Sequence, residues 1–319
     1  MKAVFLDYAT IGADSLSPTP LYDVLPDIEF HDRTSPAEVL SRIREAEFVL
    51  TNKVRLDASN MQDAKALRYV GLAATGTDNV DLEYCRRRGI AVCNIRGYCT
   101  QSVVEHVFAT MLGLCHNLKS YNRAVRRGEW QRAGEFCLLD YPIRELSGMT
   151  LGIVGYGELG KGVARVAELF GMEVLIARRR GAREVAGDGR VDFDRLLSIA
   201  DIITLHCPLN DDTRNMFGHD EFLAMKPEAI LINTARGGLV DSAALVHALD
   251  SGAIGAAAID VLPQEPPVAG DPLLEYRGNN LVVTPHIAWA TRESRQRAIN
   301  ELGANVQSFL GGRRRNRVV

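Results

Sequence analysis

The chain has 319 residues, 46% hydrophobic and 24% charged, with a formal net charge of −3. That length exceeds one ordinary core and suits two domains, and the charge gives no global attraction to nucleic acid or an anionic membrane. No apolar run reaches the roughly 18–20 residues of a membrane span, and the six cysteines (Cys85, Cys93, Cys99, Cys115, Cys137, Cys207) form no C-x-x-C pair, so a soluble, cytoplasmic protein with reduced thiols is expected.

Residues 2–7 form an apolar run that predicts a buried strand, with no signal-peptide pattern before it. Residues 10–36 are rich in Pro, Asp and Ser and predict loop with a short helix. Helical periodicity follows over 36–45, short apolar strands over 47–51, 67–74 and 90–94, and a helix over 81–88. Strands alternating with helices, with few hairpin signals, predict a parallel α/β sheet over a first domain of residues 1–98.

A long helix with an apolar face is expected over 100–127, then an irregular segment over 128–148 carrying Trp130, Phe136, Leu138, Leu139 and Tyr141. Such an aromatic-rich loop either packs within its own domain or meets another subunit, and a subunit contact is the favoured reading. The strand 149–154 then runs into Gly155-Tyr156-Gly157-Glu158-Leu159-Gly160, a helical run over 161–170 and a second strand over 173–177. This β-turn-α-β context gives the G-x-G-x-x-G spacing its meaning. The glycines let the backbone turn sharply and approach a pyrophosphate, at a helix N-terminus that offers free N–H groups to the anion.

Further strands are expected over 201–205, 228–233, 256–260 and 281–283, with helices over 242–249 and 291–310. The closing helix is expected to pack on the first domain, and the basic tail 311–319 to fray into solvent. In open α/β sheets ligands bind beyond the carboxyl ends of strands, and the notable polar residues collect there: Thr75, Gly76 and Asp78 early in the chain, then His206, Thr234, Arg236, Asp260, Glu265 and His286, with Pro208 and Ala235 beside them as candidate cofactor contacts. Beside a nicotinamide, these types suit ketone reduction. Histidine handles a proton near neutral pH, a carboxylate fixes its ring, and arginine grips a carboxylate while polarising the adjacent carbonyl. His286, Glu265 and Arg236 are the candidates for these catalytic roles. No His/Asp/Glu cluster has metal-ligand spacing, so a metal-dependent reaction is disfavoured.

The glycine motif at 155–160, Asn-Thr-Ala-Arg-Gly-Gly at 233–238, Asp-Val-Leu-Pro-Gln-Glu-Pro at 260–266 and Thr-Pro-His-Ile-Ala-Trp at 284–289, in that order, resemble the D-isomer-specific 2-hydroxyacid dehydrogenase family over nearly the whole chain. The resemblance implies a Rossmann-type doubly wound sheet for the cofactor over 99–286. It also implies a smaller flavodoxin-like α/β substrate domain from 1–98 with 287–319, a closing cleft and a homodimer built by the long helix and the arm after it. It implies Arg236 as carboxylate and carbonyl binder, His286 as proton donor or acceptor, and Glu265 as its partner. Asp260 would hold the nicotinamide carboxamide, and backbone N–H groups at Thr75 and Gly76 the substrate carboxylate. Asn52-Lys53 and His286-Ile-Ala-Trp-Ala290 look most like hydroxypyruvate (glycerate) and glyoxylate reductases, and Lys53 and Trp289 are taken as substrate contacts. The resemblance also leaves open another 2-oxo acid, or a dinucleotide-sensing, corepressor-like binding protein. The end of the chain near 319 suggests no regulatory extension.

An NAD enzyme of this fold usually ends its second cofactor strand with Asp or Glu, which binds the ribose hydroxyls. Here Arg178 stands in that slot, followed by Arg179 and Arg180. Arginines would bind a 2′-phosphate that a carboxylate would repel. NADP(H) is therefore favoured, with NAD(H) possible because arginine can also stack on adenine.

Overall fold

The structure is a computed structural model and describes residues 1–182 and 188–319. The chain divides into two compact units, Met1–Cys99 with Trp289–Val319, and Thr100–Ala288.

The first unit is built on β1 (Ala3–Phe5), β2 (Ile28–Phe30), β3 (Phe48–Thr51), β4 (Tyr69–Leu72) and β5 (Ala91–Cys93). They are parallel, in the order β2-β1-β3-β4-β5, the flavodoxin-like arrangement. Both faces are covered, so the strands read as continuous apolar runs. Alternation still sorts the side chains by face. Phe5, Phe48, Leu50 and Tyr69 pack with Ile299, Leu302 and Val306 of the helix Arg292–Leu310. Val4, Val49, Val70 and Val92 pack on the other face with Ile43, Met61 and Cys85. The closing helix thus belongs to this unit.

The tail does not fray. Val318 donates its N–H to the Val92 carbonyl at 2.7 Å, Asn94 donates to Asn316 at 3.2 Å, and Cys93 and Arg317 form an antiparallel bridge. β5 is an edge strand whose unpaired backbone groups take up whatever extended chain is nearby. Arg315 adds an ion pair with Glu301 at 2.6 Å.

The second unit carries β6 (Thr150–Val154), β7 (Glu173–Ala177), β8 (Arg190–Val191), β9 (Ile202–Leu205), β10 (Ile230–Asn233), β11 (Ala256–Ile259) and β12 (Leu281–Val283). All are parallel, in the order β12-β11-β10-β9-β6-β7-β8. From β6 the chain winds outward one way to β8, then returns beside β6 and winds the other way. The point of reversal, between β6 and β9, is where such sheets open a crevice.

The helix expected over 100–127 is interrupted. It runs Thr100–Cys115, then Asn117 takes a left-handed conformation (φ 49°), which asparagine tolerates, and a second helix spans Leu118–Arg126. Asn117 also donates its side-chain amide to the Pro142 carbonyl at 2.7 Å. The irregular segment after it contains a short helix, Glu129–Ala133. Among the described residues no helix is long and apolar enough to cross a membrane.

Candidate active site

Parallel strands put every following loop at one edge of the sheet, so the residues after β6, β9, β10, β11 and β12 share the carboxyl edge of the second unit. The glycine turn comes first. Gly155 has φ 99°, and a Cβ there would stand 2.5 Å from both the Cys207 nitrogen and the His206 carbonyl carbon. A Cβ on Gly160 would meet the Gly155 carbonyl oxygen at 2.2 Å, so the helix Glu158–Leu169 seats directly on the turn. Gly157 differs: a Cβ there meets nothing within 4 Å among the described residues. Its open side faces away from protein, as a residue approached by a phosphate requires.

Two further polar atoms fit a dinucleotide. The Thr234 hydroxyl, just past β10, and His206 Nδ1, just past β9, are enclosed and have no hydrogen-bond partner among the described residues. Such groups are costly unless something pairs them. His206 Nε2 lies 3.0 Å from the Thr204 hydroxyl, and burial pushes its pKa down to about 4. The ring is therefore neutral near pH 7. Pro208 begins the loop after His206 and accepts a hydrogen bond from the Thr213 hydroxyl at 2.8 Å.

The two residues expected to handle the proton are brought together. His286 Nδ1 lies 2.6 Å from Glu265 Oε2, with both side chains about one-third exposed. Glu265 is fixed from behind, its other oxygen accepting the Leu262 N–H at 2.9 Å. His286 sits at φ 57°, a conformation that persists in a non-glycine residue only when its surroundings impose it. Those surroundings are Asp260 and Thr284. The Asp260 carbonyl accepts the His286 N–H at 2.7 Å. Its buried carboxylate accepts the N–H groups of Ile287 and Ala288, each at 2.9 Å, and the Thr284 hydroxyl at 2.5 Å. Asp260 thus organises the turn that carries His286, a role the sequence reading did not give it. His106 adds to this cluster, 3.2 Å from the Thr284 hydroxyl.

Arg236 lies in the loop after β10. Its guanidinium donates to the Ala235 carbonyl at 2.8 Å, and its own carbonyl accepts the Asn233 side-chain amide at 2.9 Å. The next residue explains the glycine pair of that motif. A Cβ on Gly237 would stand 1.9 Å from the Leu262 carbonyl carbon, so the Arg236 loop presses on the backbone of the loop that bears Glu265.

In the first unit, Thr75 follows β4, its hydroxyl donating to the Ile95 carbonyl at 3.0 Å and its carbonyl accepting the Asn94 amide at 2.7 Å. Gly76 is next in the same turn. Trp289 packs edge-on to Tyr98 with ring centroids 6.3 Å apart. Lys53 follows β3, and its backbone is held by a residue that sequence reasoning passed over. Asp7, buried two residues past the end of β1, accepts the Thr51 hydroxyl at 3.0 Å and the N–H groups of Asn52 and Lys53 at 2.8 and 2.6 Å. The signal was available: an acidic residue closing the apolar run 2–7.

The arginine run has a divided environment. Arg178 is buried. Its guanidinium meets Asp192 at 2.5 Å, Asp188 at 3.3 Å and the Arg190 carbonyl at 3.1 Å, and its Nε is enclosed without a partner among the described residues. Arg179 is exposed and pairs with Asp212. Arg180 pairs with Glu221 at 2.6 Å and lies 4.7 Å from the centroid of the Phe193 ring.

A doubly wound sheet with this glycine turn at its switch point, and a His–Glu pair at the same edge, defines a dinucleotide-dependent oxidoreductase. Residues 108–288 match the family model described as D-isomer specific 2-hydroxyacid dehydrogenase, NAD binding domain. The chain is 45% identical over 289 residues to the glycerate dehydrogenase of Methylorubrum extorquens, covering 90% of each chain. It is 37% identical to the hydroxypyruvate reductase of Blautia hydrogenotrophica, covering 98% of each. Among solved structures it is similar to an acyclic imino acid reductase in complex with NADPH and D-Arg, with a TM-score of 0.87 and 27% identity over the full length of both. The chain belongs to the D-isomer-specific 2-hydroxyacid dehydrogenases. It is an oxidoreductase that uses a nicotinamide dinucleotide.

Proposed function

We propose that the enzyme reduces a small 2-oxo acid with an uncharged substituent, hydroxypyruvate or glyoxylate, to D-glycerate or glycolate, with NADP(H) favoured over NAD(H). The observation that carries the chemistry is the His286–Glu265 pair at 2.6 Å, on the sheet edge that also bears Arg236. The substrate class is supported by relatives named glycerate dehydrogenase and hydroxypyruvate reductase.

The bound dinucleotide supplies the hydride. Arg236 binds the substrate carboxylate in two places and draws electron density from the carbonyl oxygen. His286 gives that oxygen its proton as negative charge develops, and takes it back in the reverse direction. Glu265 holds the ring's orientation and balances its charge when protonated. Gly155 to Gly160 hold the pyrophosphate, while His206, Pro208, Thr234, Ala235 and Asp260 line the rest of the cofactor site. Lys53, Thr75, Gly76 and Trp289 are assigned to the substrate.

We further propose a homodimer built on the segment after Cys115. Phe136 is 95% exposed and Leu139 77% exposed, with Leu118, Trp130 and Ile143 also open; apolar surface of this extent calls for a partner. The decisive test of function is kcat/KM over a panel of 2-oxo acids with both cofactors. Hydroxypyruvate and glyoxylate should lead, and a preference for phenylpyruvate would overturn the substrate assignment.

A further inference from the structure

The three consecutive arginines after β7 differ in what already holds them. Arg178 is committed: two carboxylates and a carbonyl take its two terminal nitrogens, and its Nε is sealed from solvent. To grip a phosphate it would have to abandon Asp192 and Asp188. If it stayed in place, the phosphate would face a cation already outweighed by two anions. Arg180 is tied to Glu221, which also accepts the Gly218 N–H at 3.0 Å and so caps the helix His219–Ala224. Arg179 is different. Its side chain is 69% exposed, and its partner Asp212 is 68% exposed. Exposed pairs of this kind contribute little and exchange readily.

Position adds to the argument. β6 lies between β7 and β9 in the sheet. Arg179 comes from the loop after β7 and Asp212 from the segment after β9, so the two flanking loops pair across the strand that delivers the glycine turn.

We propose that Arg179 is the residue that reads the 2′-phosphate, that Asp212 is the counter-ion the phosphate displaces, and that Arg178 is a strut holding the start of β8 and the Asp192 turn against β7. This rests on the NADP(H) reading above and divides its labour. Arg178 occupies the slot where the acidic residue of an NAD enzyme stands, and so removes the repulsion. Arg179 supplies the attraction. Asp212 limits the preference, because each phosphate bound must first free Arg179 from a carboxylate.

The test is calorimetric titration with 2′,5′-ADP and 5′-ADP, which probes the adenosine end without any reaction, alongside kcat/KM with NADPH and NADH. The wild type should bind 2′,5′-ADP more tightly. Arg179→Gln should cut that preference by about 10- to 100-fold, the range of a lost charge-assisted hydrogen bond. Asp212→Asn should raise it a few-fold (about two- to five-fold, an exposed pair being worth little). Arg178→Gln should lower the thermal midpoint while the surviving folded protein keeps most of the preference. If Arg179→Gln keeps the preference and Arg178→Gln loses it, the division proposed here is wrong and the NADP(H) reading stands. Should Arg178→Gln fail to fold, an unchanged preference in both Arg179→Gln and Asp212→Asn overturns the proposal. A wild type that binds the two nucleotides equally, and turns over NADH as well as NADPH, overturns the NADP(H) reading itself.

Discussion

Glu265→Gln isolates the contribution of one charge. Glutamine keeps the size of the side chain and leaves an oxygen for the Leu262 N–H, which Glu265 now binds at 2.9 Å. What disappears is the negative charge 2.6 Å from His286 Nδ1. Hydrogen bonds involving an ionised group are worth about 1.5–3 kcal/mol. Because both side chains are about one-third exposed, solvent screening places this one in the lower part of that range, roughly 1.5–2 kcal/mol. At 1.36 kcal/mol per decade this is a loss of about 10- to 30-fold. The direction of reaction decides where it shows. In oxidation of the hydroxy acid the ring gains a proton, so charge grows opposite the carboxylate in the transition state and the loss falls on kcat. In reduction the ring gives that proton up, so the charge facing the carboxylate falls on the way to the transition state and the loss on kcat is smaller. The assay is steady-state kinetics in both directions, with cofactor affinity and thermal midpoint as controls for folding. A variant that keeps oxidative kcat within twofold, or loses only KM, would show that Glu265 does not support the ring and would remove the pair from the chemistry.

Three other outcomes are expected. Gly157→Ala should keep the wild-type thermal midpoint, since a Cβ there meets nothing, yet weaken cofactor binding by at least about tenfold through collision with the phosphates; Gly160→Ala, with a Cβ 2.2 Å from a carbonyl, should instead lower the midpoint. His206, with its pKa depressed from 6.5 to about 4, stays neutral in the fold while the unfolded chain protonates it. Its contribution is therefore full above pH 6.5 and is lost as pH falls toward 4, up to roughly 3 kcal/mol; denaturant titrations from pH 4 to 7 should show a flatter acid limb in His206→Asn, and identical limbs would refute the reasoning. Phe136→Asp with Leu139→Asp should convert a dimer to monomer in sedimentation without altering helix content, whereas a wild type that is already monomeric refutes the interface.

Much of the site was legible because it obeys one topological regularity. His206, Thr234, Asp260 and Thr284 each directly follow a strand, and parallel strands bring such positions to one edge. The conflicts arose where pairing is non-local or the signal is short. β2 is three residues in a segment dominated by Pro and Asp, and β8 is two. The tail reads as solvated because it is basic, yet its backbone satisfies β5, a partner more than 200 residues away in the chain. The break at Asn117 depends on a single left-handed residue within an otherwise helical pattern. Asp7 and Asp260 were both visible as acidic residues after strands, but that each holds the backbone of a neighbouring loop is a matter of geometry alone.

The charge of a residue and the charge it presents are separate quantities, and the arginine run shows how far they diverge. In the sequence, Arg178 stands in the discriminating position and draws attention to itself. In the fold it is the most deeply buried of the three, and Asp188 and Asp192, 10 and 14 residues further on, close around it. Its burial makes this necessary: a guanidinium removed from water needs anions, and once it has them it has little left to offer a ligand. The exposed neighbour keeps its charge available because its pairing is weak. A motif can therefore locate a cofactor's phosphate, but which side chain speaks to it follows from the carboxylates that each arginine has already met.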